Sequence, residues 1–465
     1  MATATKPDEK ARERGALTHP DVESMGEVNV DILRMLSRPG KGWWILFGMS
    51  VAGIGLLFFA WGNQLVNGIG LTGLNTPVGW GVYIATFVFW VGIAHSGTLI
   101  SAVLFLFRAR WRQSIYRAAE AMTVFAVMTA GLFPLIHLGR AWHAYWLFPY
   151  PNERLLWPNF RSPLVWDVFA VSTYFTVSSL FFLLGLVPDL AAARDQAKPG
   201  TLRHKFYTLT SFGWRGTDRQ WHHFGKAYLY LAALATPLVL SVHSVVSWDF
   251  AMSIVPGWHA TIFAPYFVAG AIFSGVAMVI TLMVPIRKIF GLEKYLTTKH
   301  FDALAKLCLV TGLVVFYAYL VEFFMAWYSG EDPERRVFWN RVFGHYWWAT
   351  WIMLICNGMI PMLLWLKRVR YSIAALFVIS IFINIGMWFE RFVIVVTSLS
   401  HEFIPFAWNT YRPSLTEMSI VIGSFAWFSF WFLLFIRLMP PVAIAEIKEV
   451  LPPPMRRKTE KEGAR

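Results

Sequence analysis

The sequence predicts an all-α polytopic membrane protein with about ten transmembrane helices. Three observations carry that reading. Hydrophobic residues make up 57% of the 465 positions and charged residues 15%. Mean hydropathy is +0.50. The apolar residues also fall in runs of twenty or more, long enough to cross a hydrocarbon core of about 30 Å. Inside lipid each backbone N–H and C=O must be satisfied within its own segment, so the spans are helices.

In chain order, the first 42 residues are polar and charged and lack the apolar core of a signal peptide. They read as a cytoplasmic arm. Ten spans follow, at about 43–68, 80–106, 117–138, 164–187, 226–248, 262–286, 304–328, 343–366, 372–397 and 417–437. Together they form a transmembrane domain over 43–440, and residues 441–465 form a cytoplasmic basic tail suited to anionic lipid. Trp (24) and Tyr (16) gather at span ends, as in LeuTrpPro at 156–158 and TyrTrpTrp at 346–348. Such residues anchor helices at the interface.

A net charge of +14 raises the question of nucleic acid. Its distribution argues against that partner. With these spans, 33 of the 41 Lys and Arg lie on one side, counting Arg117, Lys226, Lys306 and Arg437 at the span ends of that side; seven lie on the other, and Arg391 lies deep within a span. The positive-inside rule then makes both termini cytoplasmic in a bacterial inner membrane. The two cysteines, Cys308 and Cys356, lie on separate spans and form neither an iron–sulfur nor a haem-attachment motif.

Two segments match at an offset of 178. Phe89, Gly92, Ser96 and Gly97 of FWVGIAHSGTLISAVL align with Phe267, Gly270, Ser274 and Gly275 of FVAGAIFSGVAMVITL. A looser echo sets HLGRAW (137–142) against EFFMAW (322–327). The pattern predicts two four-helix bundles in parallel orientation, about 80–248 and 262–397, with the first and last spans at the periphery. It also sets His137 opposite Glu322, which suggests two non-equivalent polar sites.

Ionisable groups within spans are costly, so their placement is informative. At the outer edge His137 ends the third span and Arg140 follows one turn later on the same face. Asp167 opens the fourth span beside Trp166, and Asp249 closes the fifth beside Trp248. Quinol oxidation needs two ring hydroxyls held and two protons accepted, which His and Asp can both do between apolar walls. The bland alternative is that Asp167 caps its helix and pairs with Arg140. Deeper lie His95, His243, Glu322, Glu390 and Arg391, with Glu120 at the inner start of the third span. They read as a proton path or as a buried brace. Adjacent residues point about 100° apart on a helix, so Glu390 and Arg391 need not pair. His95 and His243 are deep enough to clamp one haem, but serines and a threonine beside them offer satisfaction without metal.

These features resemble the NrfD/PsrC family of membrane subunits, on the strength of GLFPLIHLGRAW (131–142), the Asp167 helix start, HSVVSWDFA (243–251) and NIGMWFERFVIV (384–395). The length and the N-terminal extension look most like the ActC subunit of alternative complex III. The resemblance implies a chain with no haem or iron–sulfur cluster of its own. It implies menaquinol or ubiquinol oxidation near the outer face, with His137 and Asp167 as the quinone pair and Arg140, Trp166, Trp248 and Asp249 nearby. It implies as partners c-type haem subunits, a peripheral iron–sulfur or molybdopterin-type subunit, a second NrfD-like membrane subunit and lipids. Two other functions compete: the quinone-reactive anchor of a molybdopterin oxidoreductase of polysulfide reductase type, and a secondary transporter. Pro237, Pro285 and Pro361 do not occupy matching repeat positions, which weighs against the transporter.

Overall fold

The computed structural model describes residues 25–36, 39–148 and 160–450. Most of the N-terminal arm, the LeuTrpPro anchor at 156–158 and the tail beyond residue 450 lie outside them. The described residues form helices α1 (Met25–Arg34), α2 (Lys41–Asn67), α3 (Val82–Leu106), α4 (Tyr116–His137), α5 (Pro163–Gln196), α6 (Leu202–Thr210) and α7 (Asp218–Ala251). The chain continues through α8 (Phe263–Ile289), α9 (Thr298–Tyr328), α10 (Asp332–Phe343), α11 (Trp347–Trp365), α12 (Ile373–Ser400), α13 (Leu415–Leu438) and α14 (Ile444–Val450). Among the described residues, ten helices are long and apolar enough to cross a membrane, and each matches an expected span.

Three boundaries differ from expectation, each for a local reason. α5 runs to Gln196 and α7 starts at Asp218, because hydropathy marks the apolar length rather than the hydrogen-bonded length. The start of α7 is set by a capping box in which Thr217 and Gln220 bond each other's backbone. The eighth span does not begin at 343. There α10, a polar helix with Pro333 in its first turn, stops at Gly344, and α11 opens at Trp347.

The spans close into two rings of four. α3, α4, α5 and α7 form one, α8, α9, α11 and α12 the other, and α2 pairs with α13 outside the first ring. The rings meet where α3 packs along α8. The matching small residues lie in that seam. Gly92 faces Ser274 and Ala271, and a Cβ on Gly275 would stand 2.1 Å from Ser96 Oγ. Each helix thus receives a serine of the other over its own glycine, a close approach that larger residues would forbid. Gly97 likewise admits Thr123 of α4, and Gly270 admits Arg391 of α12. α1 and α14 pack together, so the described ends of the chain share one face, the near face.

Three spans contain a π-turn: Leu99–Val103 in α3, Ile355–Met359 in α11 and Val393–Thr397 in α12. Such turns often mark functional sites. Here each lies within a few residues of a buried polar side chain.

Gly275→Leu is expected to destabilise the α3–α8 seam by about 1–3 kcal/mol or more, read as a lower unfolding temperature in mild detergent. Gly55→Leu, at a position with open space around it, serves as the control and should melt like the parent. Equal melting of both variants would contradict the seam.

Candidate functional site

At the far face, opposite the described ends, α5 and α7 run side by side in opposite directions. The start of one therefore meets the end of the other. That antiparallel packing brings two Trp–Asp dipeptides together. The rings of Trp166 and Trp248 meet edge to face with centroids 5.9 Å apart. The carboxyls of Asp167 and Asp249 lie within hydrogen-bonding range of each other. Among the described residues, no donor reaches Oδ1 of either. Two carboxyls bond only when one is protonated, so at this spacing the pair can share a proton. Asp167 is 7% exposed and Asp249 is half-buried. Ser162 is the N-cap of α5, with Pro163 following. Asp167 sits more than one turn inside the helix, so the capping alternative does not hold.

Arg140 departs from its expected place. α4 ends at His137, Gly139 adopts a left-handed φ of +72°, and Arg140 is extended and exposed. The glycine swings the chain away before the next turn can form, so Arg140 shares no helix face with His137. His137 itself is half-buried, and its Nδ1 has no partner among the described residues. The end of α4 is pinned by Gln64 of α2. The Gln64 amide donates to the Ile136 carbonyl at 2.9 Å, and its oxygen accepts from the Tyr83 hydroxyl at 2.7 Å. His137 and the acid pair thus lie at the far ends of adjacent helices of one ring, but no described hydrogen bond joins them. An aromatic apron follows, with His143 stacked on Trp146 at 4.2 Å and Trp142 exposed.

The deep residues are brought together across the seam. The His95 and His243 rings touch, with centroids 4.6 Å apart, too close for a porphyrin to stand between them. His95 donates Nδ1–H to the Val91 carbonyl at 2.6 Å and stacks on Tyr174, whose hydroxyl bonds Thr98 at 2.8 Å. His95 Nε2 and both nitrogens of His243 have no partner among the described residues. The expectation that neighbouring serines satisfy His243 fails, because Ser241, Ser244 and Ser247 donate to carbonyls of their own helix.

Phe267 of α8 separates this pair from the next. Its ring lies 5.8 Å from His243 and 4.3 Å from the Arg391 guanidinium. Arg391 and Glu390 do pair, a contact that their helix positions left open, with Nη1 3.1 Å from Oε1. That contact is off the hydrogen-bonding direction, so both atoms remain without a hydrogen bond. Both side chains are long enough to fold back from diverging helix positions, and Gly270 leaves the room. Glu390 also accepts the Tyr319 hydroxyl, which in turn accepts from Asn357 at 3.0 Å. Tyr317 instead faces outward. Glu322 lies nearer the far face, 8% exposed, with Oε1 unpartnered among the described residues.

Sequence reasoning singled out Glu120 but missed its partners in the near-face cluster below His95. Arg117 pairs with Glu120 at 3.0 Å and with Asp189 at 3.2 Å, and Tyr228 donates to Glu120 at 3.3 Å. Asp189 accepts the backbone N–H of Ile444 and Ala445, and Arg112 pairs with Glu446 at 2.9 Å. The available signals were the i, i+3 spacing of Arg117 and Glu120 and an acid inside the apolar run at 186–191. Also missed was Arg341 of α10, buried and bonded to Thr397 and Ser398. Burial holds its guanidinium below the usual value, against the pull of Glu322 and Glu334.

Comparison with known proteins gives this geometry a family. The model for polysulphide reductase, NrfD, matches residues 70–401. The chain is 26% identical over 425 residues to a putative membrane subunit of a dimethyl sulfoxide reductase of Halobacterium salinarum, covering 84% of this chain and 89% of that protein. It is 23% identical over 392 residues to the integral membrane subunit of a menaquinone reductase of Nitratidesulfovibrio vulgaris, covering 80% and 86%. It is 21% identical over 412 residues to the integral membrane subunit of an Hdr-like menaquinol oxidoreductase of Archaeoglobus fulgidus, covering 82% and 90%. Two rings of membrane helices, polar groups buried along their seam and a family match that spans both rings lead to one conclusion: the chain belongs to the NrfD family of polysulphide reductase-type membrane subunits.

Proposed function

We propose that the chain is the quinone-reactive membrane subunit of a reductase or oxidoreductase complex. The observation that carries this reading is the Asp167–Asp249 pair. It lies at a helix junction beside two indoles, with Asp167 buried and Asp249 half-buried, and each carboxyl keeps an oxygen that no described donor reaches. Such a pair can give or take the ring protons of a membrane quinone. In the oxidative direction a quinol loses two protons and two electrons. One proton passes to the carboxyl pair and the other to His137 or solvent, while the electrons leave to a partner protein at that face. In the reductive direction every step reverses.

The relatives' names support menaquinone as the quinone class. They also favour the anchor of a reductase of polysulfide reductase type over the alternative complex III assignment that the length and N-terminal extension suggest. The partner is then a catalytic subunit with iron–sulfur or molybdopterin chemistry. The charge asymmetry supports taking the far face as the outer one.

The deep string supports a second element of the proposal. His95, His243, Arg391 and Glu390 form a near-continuous buried line across both rings, with near-face extension through Tyr174 and far-face extension toward Glu322. Unpartnered nitrogens and oxygens along it are sites where water can relay protons. We therefore include proton movement coupled to quinone chemistry in the proposed function.

Asp167→Asn is expected to lower quinone-dependent turnover by about 10²–10⁴-fold, while the complex still co-purifies. Turnover at the parental rate would remove the acid pair from the site. Glu390→Gln is expected to reduce proton release per electron in sealed vesicles to the yield of quinone chemistry alone. A yield equal to that of the parent would exclude the deep string as the route.

A further inference from the structure

We propose that the far mouth of the second ring is a separate binding site for a quinol-class molecule, in which Glu322 accepts a ring hydroxyl. The proposal rests on reading the chain as quinone-reactive, and it concerns binding, with no redox step assigned.

A cavity of about 630 Å³ opens between the loop at 252–262, the end of α9 and α10. That volume is in the range of sites for small organic ligands. Its walls are apolar where Ala251, Ile262, Val321, Met325 and Phe338 line it. At its edge Glu322 presents a carboxylate that is 8% exposed and has Oε1 without a partner among the described residues. Leaving such an atom unsatisfied is costly, and a donor from a bound molecule removes the cost.

The rim is built rather than incidental. Gly257 adopts φ +79°, where a Cβ would come within 2.9 Å of Arg341, Ser398 and Val337. Its N–H is accepted by both oxygens of Glu334 at 2.9 Å, and its carbonyl accepts from Arg341 at 3.1 Å. Glu334 is therefore engaged, which leaves Glu322 as the buried acceptor of the cavity. Arg341, bonded to the Gly257 carbonyl of the rim, already brings a positive charge there, so the site does not call for an ammonium group. A neutral hydroxyl donor on a flat apolar body fits better, and the membrane pool of quinol supplies one.

Position supports the same reading. Glu322 is the repeat counterpart of His137, so the two polar groups stand at corresponding places in the two rings. The two sites share a wall as well: Asp249 belongs to the first, and Ala251, two residues later on α7, lines the second.

The test uses the purified complex and a photoreactive azido-naphthoquinone, with labelled segments mapped by mass spectrometry. Two labelled regions are expected, one at the α5–α7 junction and one within 257–262 or 321–338. Glu322→Leu should raise the half-saturating probe concentration at the second region about tenfold or more. Ala260→Trp, which fills the cavity from its loop, should abolish that label. In both variants the α5–α7 label should persist, which also reports on folding. Excess menaquinol should protect both regions. Labelling confined to the α5–α7 junction overturns the second site, as does a second label that survives both substitutions. Protection of the second region by phosphatidylethanolamine and not by menaquinol also overturns it. Absence of label at the α5–α7 junction would instead count against the proposed function itself.

Discussion

The two rings of this protein can cooperate only because α3 and α8 approach at backbone distance. Gly92 under Ser274 and Ser96 over Gly275 remove the side-chain layer that would otherwise separate them. Lipid tails are as apolar as leucine, so nothing hydrophobic drives such helices together; contact and fit must do it. The consequence lies at the next layer. With the seam closed, a single ring, Phe267, stands between His243 of the first bundle and Arg391 of the second. Larger residues at the glycines would part the two halves of the polar string and leave each half facing a gap.

The spans and the polar residues were legible in the sequence, whereas their pairings were legible only in part. Hydropathy reports the length of chain in contact with lipid or core, so all ten helices could be placed. It does not report where hydrogen bonding stops, which is why α5 and α7 run past their apolar stretches. The Trp166–Asp167 and Trp248–Asp249 dipeptides stood out as residues. Their meeting required knowing that α5 and α7 are antiparallel neighbours. Arg140 was misplaced because one glycine, Gly139, ends the helical register before its turn is complete. The pairing of Glu390 with Arg391 stayed open because Cβ directions do not decide where long side chains end. Arg341 and Asp189 were overlooked because each lies beyond or at the end of an apolar window, where a charge is unremarkable until the fold buries it.

The family match covers residues 70–401 and so leaves out α2 and α13, which the structure joins as the outer pair. They do more than cover lipid-facing surface. Trp90 of α3 donates to Ser424 of α13 at 3.1 Å, and Gln64 of α2 holds the last turn of α4. Glu417, in the capping box of α13, accepts the Tyr411 hydroxyl at 2.6 Å and the Gly73 N–H at 2.7 Å. The Tyr411 hydroxyl in turn accepts the N–H of Val82, the first residue of α3, at 3.1 Å. The outer pair is thus tied to the far ends of α3 and α4, next to His137.

This arrangement explains why the two rings need not be alike. In the first ring the far mouth is braced from outside by α2 and α13, and its polar groups are a histidine and two acids on separate helices. In the second ring bracing comes from α10 and the Gly257 loop, and the buried acceptor is a single carboxylate held near Arg341. A scaffold with identical groups at both mouths would present two equal polar sites. With His137 at one mouth and Glu322 at the other, each buttressed differently, the two mouths are chemically distinct while the seam between them is common to both.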